Sequence, residues 1–87
     1  MKGYDERAME GLVDRWQPLS KLFGPYKTEV RKEIEQDGLP ETPEKLTEKQ
    51  YIKREALRRA HQKIREDEEY AQFRDEYDQL LPDATDQ

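Results

Sequence analysis

Apolar positions recur at intervals of three and four along most of the chain. Nowhere do they alternate with period two for long enough to mark a strand. Met9, Leu12, Val13, Trp16, Leu19 and Phe23 fall on one helical stripe, and Asp5 is suited to cap its start. Pro18 lies inside that stripe. It lacks the N–H that would bond back to Asp14, and it disfavours the α region at Gln17, so a break or kink is expected. Alternatively, Pro18 occupies the first turn of a short second helix, where proline is tolerated. Gly24-Pro25 reads as a stop. The expected first helix spans roughly residues 5–16, with a turn or short second piece reaching Phe23.

Tyr26, Val30 and Ile34 form a narrow second stripe, ended by Gly38 as a C-cap. Residues 38–43, rich in Gly and Pro, read as the main linker. Thr47 and Gln50 have capping-box spacing, and Leu46 and Tyr51 fall at the positions of a hydrophobic staple. Ile52, Ala56, Leu57, Ala60 and Ile64 follow on one face. The phase then slips, because Asp67, Glu68 and Ala71 stand where that stripe would continue. Tyr70, Phe73, Tyr77, Leu80 and Leu81 take up a new stripe. Either the helix runs on with a rotated face, or Asp67 caps a new one. Glu68 and Glu69 in a first turn favour the new or bent helix. Pro82 ends it, and residues 83–87 are expected to be a disordered tail. The predicted architecture is all-α: three to four amphipathic helices over residues 1–82, forming one domain in an open, extended arrangement.

Composition explains why an open arrangement is expected. Of the 87 residues, 43% are charged and 32% hydrophobic, against averages near ~25% and ~45–50%. A domain this small buries a modest share of its surface, and without cysteine it gains nothing from disulfides or zinc thiolates. No run approaches the ~18–20 apolar residues of a membrane span. The start, Met1 to Glu6, reads as neither a secretory signal nor a transit peptide. Charge is blocked along the chain: residues 47–66 carry seven bases and three acids, and residues 67–87 carry one base and eight acids. Such blocks either neutralise each other between neighbouring helices or meet a charged partner.

Motifs for chemistry are sparse. Histidine occurs once, at His61, and Ser20 is the single serine. No H-E-x-x-H, calcium loop, nucleophile elbow or phosphate-binding glycine loop is present. The expected functional residues therefore include no catalytic, cofactor-binding or metal-ligating group, and no enzyme activity is expected. A nucleic-acid reading rests on Lys53, Arg54, Arg58, Arg59, Lys63 and Arg65 within residues 49–65. It is disfavoured by the pI of about 4.9. A membrane-surface helix is disfavoured by the mixed charge on the polar face of the first helix. Protein–protein contact remains, with a self-assembling bundle as a variant of it. Trp, Tyr and Arg most often anchor such contacts. The candidate partner-binding set is Trp16, Tyr26, Val30, Ile34, Lys53, Arg54, Arg58, Tyr70, Phe73 and Tyr77.

The order of residues carries a further pointer. Val30-Arg31-Lys32-Glu33-Ile34 precedes Leu39-Pro40-Glu41, then Ile52-Lys53-Arg54, Ala56-Leu57 and His61-Gln62. Tyr70, Phe73, Asp75-Glu76 and Leu80-Leu81-Pro82 follow. This order resembles the small helical matrix-side subunit of mitochondrial ubiquinol–cytochrome c reductase, historically called the ubiquinone-binding protein. Tyr70 stands where that family has tryptophan. The resemblance implies a cofactor-free accessory subunit held by other protein subunits, peripheral to a membrane complex, on the matrix side of the mitochondrial inner membrane. Without it, a cytoplasmic location is expected.

Overall fold

A computed structural model of the chain describes residues 6–80. Helix α1 covers Glu6–Val13, α2 Gln17–Asp37, α3 Glu48–Glu66 and α4 Arg74–Leu80. A 3-10 segment, Glu68–Phe73, joins α3 to α4. The class is all-α, with no strand among the described residues. The expected cap at Asp5 and the expected tail at 83–87 lie outside them.

The start of α2 follows the second of the two expectations for Pro18, which sits in the helix's first turn. Trp16 precedes it in extended conformation, and its N–H donates to the Leu12 carbonyl at 2.7 Å, closing α1. The turn between them folds α1 back beside α2.

Gly24-Pro25 does not stop the chain. Helix α2 runs through Pro25 for 21 residues. Gly24 has no Cβ, which removes one of the clashes a proline makes with its predecessor; the lost bond to the Lys21 carbonyl and the ring's clash with it remain. The stripe also continues across the break, since Leu19, Leu22, Phe23, Tyr26 and Val30 are all buried or half-buried. That burial outweighs the ~3 kcal/mol cost of a proline inside a helix.

Gly38 ends α2 with φ 84° and donates to the Ile34 carbonyl at 2.7 Å. Glycine reaches that φ without a Cβ penalty. At α3 the capping box is complete: the Gln50 N–H donates to Thr47 Oγ1 at 3.2 Å, and Gln50 Oε1 accepts from the Thr47 N–H at 3.0 Å. All five residues of the expected α3 face are buried. Asp67 breaks the helix and caps the next segment, its carboxylate accepting from the Glu69 N–H at 2.8 Å. Arg74 turns back to donate to the carbonyls of Ile64 at 3.0 Å and Asp67 at 2.7 Å. These bonds satisfy acceptors that a helix end leaves open.

The helices are less splayed than the thin stripes suggest. Met9, Leu12, Trp16, Leu19, Leu57, Ala60, Ile64 and Tyr77 form one core drawn from every helix and the α1–α2 turn. Val30 and Ile52 are also buried. Each large aliphatic side chain so covered contributes ~1.5–3 kcal/mol. The overall extents of 37 × 32 × 21 Å describe a slab, about two helix diameters thick. What a count of apolar residues undervalues is ring stacking across elements far apart in the chain, and that stacking closes this core.

Candidate functional site

The aromatic side chains converge from three places. Trp16, at the mouth of α2, stacks on Tyr77 of α4 with centroids 5.0 Å apart and planes 10° from parallel. Phe73 meets the Trp16 ring edge-on at 6.4 Å and 86°. Tyr70 lies 6.0 Å from Phe73. Tyr77 is fully covered and Trp16 is 7% exposed, whereas Tyr70 and Phe73 remain half-buried. The capped turn at Asp67 and the inward Arg74 fix the 3-10 segment, which sets Tyr70 and Phe73 opposite the start of α2.

Between these walls runs a groove of about 620 Å³. Trp16, Pro18, Tyr70 and Phe73 supply its apolar lining, with Lys21 on one side and Glu69 and Glu76 on the other. Its size falls within the ~300–1,000 Å³ of ligand pockets. A second hollow of about 400 Å³ involves Tyr26, Arg59, Lys63 and Asp67. Its cations are already engaged. Lys63 Nζ donates to Asp67 at 2.6 Å, and Arg59 is forked across to α2.

The charged residues of α3 are largely spent inside the molecule. Arg59 donates to Glu29 at 2.6 Å and to both carboxylate oxygens of Glu33 at 2.9 and 2.7 Å. That fork holds the Glu33 carboxyl below its ordinary range and raises the Arg59 guanidinium. Lys53 pairs with Glu10 at 3.3 Å, and Arg54 with Glu44 at 3.2 Å and Glu6 at 3.7 Å. Arg58 reaches Glu55 at 3.7 Å, and Arg65 pairs with Asp78. The Glu44 carboxyl is lowered first by its own backbone N–H and then by Arg54. Asp67 is lowered by Lys63 and by the Glu69 N–H. The basic block is thus paired within the chain, mostly with acids of α1, α2, the α2–α3 loop and α3 itself, and only Lys63–Asp67 and Arg65–Asp78 join it to the acidic block among the described residues.

His61 is half-buried, and its Nδ1 lies 2.6 Å from the Tyr77 hydroxyl. The same hydroxyl reaches Met9 Sδ at 3.5 Å. Burial lowers the imidazole pKa, Arg65 lowers it further, and Asp78 opposes them. Among the described residues no group of three or more His, Asp or Glu is placed to hold a metal.

The candidate residues therefore separate. Trp16, Tyr70 and Phe73 come together at the groove. Tyr77 lies beneath them in the core rather than on a contact surface. Val30 is likewise buried and so is withdrawn from the expected docking stripe, while Tyr26 and Ile34 stay half-buried on either side of it along α2. Lys53, Arg54 and Arg58 are ion-paired within the chain. Pro18, Lys21, Glu69 and Glu76 were not expected at a site. Their place in the groove depends on how α2 and the 3-10 segment approach each other, and no local spacing announces it.

Compared with protein-family models, curated proteins and solved structures, the chain matches none. The likeness of residues 30–82 to the reductase subunit therefore rests on the quoted residues alone. No helix among the described residues is long and apolar enough to cross a membrane.

Proposed function

We propose that this chain is a non-catalytic accessory protein that docks on a larger protein assembly through the groove between the start of α2 and residues 68–76. The observation that carries the reading is the half-buried pair Tyr70 and Phe73, which with Trp16 line an open groove. Clustered aromatic side chains of this kind dominate binding energy where they are desolvated by a partner. The rival use of α3 on nucleic acid is disfavoured by its ion pairs, since a phosphate backbone would have to displace carboxylates already in place. The resemblance to the matrix-side reductase subunit points to a respiratory complex of the mitochondrial inner membrane as the assembly. The cytoplasm is the location if that resemblance fails.

The test is affinity capture from the native source, using the tagged full chain beside Tyr70→Ala and Arg58→Ala. Circular dichroism checks that each variant keeps its helices. Loss of the captured partner with Tyr70→Ala, and retention with Arg58→Ala, supports groove docking. Retention with Tyr70→Ala overturns it.

A further inference from the structure

We infer that the groove takes an arginine-bearing segment of a partner protein, with an apolar side chain beside the arginine. This rests on the docking role proposed above and goes further by naming the partner's chemistry. Only some carboxylates of residues 67–80 are paired with bases of the described chain. Asp67 and Asp78 are tied to Lys63 and Arg65 of α3. Glu68, Glu69, Asp75 and Glu76 lie between them in sequence, and none makes an ion pair with a described residue. Glu69 and Glu76 line the groove itself.

The nearest cation in sequence is withheld from them. Arg74 donates from its guanidinium to the backbone carbonyls of Ile64 and Asp67 and makes no ion pair with Asp75 or Glu76. Lys21 is the one base among the described residues that line the groove. The groove thus combines aromatic side chains with two exposed carboxylates, Glu69 and Glu76, that make no ion pair among the described residues. Arginine suits both surfaces at once. Its guanidinium forks onto carboxylates and stacks on aromatic faces, and it is less strongly hydrated than an ammonium. An apolar neighbour on the segment would cover Tyr70 and Phe73.

The experiment titrates the full chain with short synthetic peptides sharing one leucine- and proline-bearing skeleton, whose charged positions are filled by arginine, glutamate or serine. Trp16, the single tryptophan, reports occupancy by its fluorescence. The arginine peptide should give a saturable change that weakens as salt rises. Its affinity should fall roughly tenfold for the double variant Glu69→Gln/Glu76→Gln, whose positions are exposed. Equal or tighter binding of the serine or glutamate peptide overturns the inference, as does unchanged arginine-peptide binding by the double variant. If no peptide moves Trp16 while Tyr70→Ala still loses its captured partner, the arginine chemistry is wrong and the docking role stands. If Tyr70→Ala keeps its partner, the docking role itself falls.

Discussion

Replacing Tyr77 with alanine removes the ring that joins the two ends of the described chain. Tyr77 is fully covered, stacks on Trp16 at 5.0 Å, and sends its hydroxyl to Met9, 68 positions away in sequence. Aromatic-to-alanine changes at such sites cost ~3–5 kcal/mol, with the stacked geometry contributing ~0.5–1.5 kcal/mol of pair energy. At ~0.05–0.15 kcal/mol per residue the whole chain is stable by roughly 4–13 kcal/mol, so this one change takes a large share of it. For a domain of this size each kcal/mol shifts the melting temperature by ~4–8 °C. The expected drop for Tyr77→Ala is therefore roughly 15–35 °C by far-UV circular dichroism, with a matching early loss of native Trp16 fluorescence. Tyr77→Phe keeps the ring and loses only the hydroxyl, so it should lower stability by about 1 kcal/mol. If Tyr77→Ala melts within a few degrees of the parent, the stacked pair is not the closing contact of the core.

Thr47→Ala removes the N-cap of α3 and should cost about 1 kcal/mol, read as a melting shift of ~4–8 °C. Arg59→Gln breaks the fork onto Glu29 and Glu33; it should lower the melting temperature by a few degrees and leave it less sensitive to added salt. For His61, burial depresses the folded pKa below the ordinary value of 6.5, so the unfolded chain takes up the proton first. Its contribution is full above that value and is lost as pH falls through it. The urea midpoint should decline as pH falls below the ordinary imidazole value of 6.5, and His61→Gln should flatten that decline. A separate loss should follow at lower pH, below the ordinary carboxyl value of 4.5, as Glu33 and Glu44 take up protons.

The parts legible in the sequence were those set by contacts a few residues apart. Thr47 with Gln50, Gly38 at the end of α2, and the break at Asp67 each follow from one side chain or one backbone angle. The buried face of α3 was legible because five small or aliphatic residues keep strict helical spacing. Pro25 reads locally as a stop because an interior proline loses a backbone bond and clashes with the preceding turn, and what offsets that cost is the tertiary burial of Leu22, Phe23, Tyr26 and Val30 on both sides of it. Tyr77 and Tyr70 carry the same side chain on the same stripe, yet one is core and the other groove. Their difference comes from where Trp16 arrives from α2, which no local pattern encodes. The charge blocks were legible as a choice between internal and external pairing. For the basic block, internal pairing emerges only from Arg59 reaching α2 and Arg65 reaching α4.

The central claim is that the chain covers its own core and leaves the Trp16–Tyr70–Phe73 groove for another protein. The most direct measurement is photo-crosslinking in the native source, with a photoreactive residue placed at exposed Gln72 on the groove or at exposed Lys49 on α3. A discrete protein adduct from Gln72 and none from Lys49 is the predicted result. An adduct from Lys49 with none from Gln72 would contradict the account.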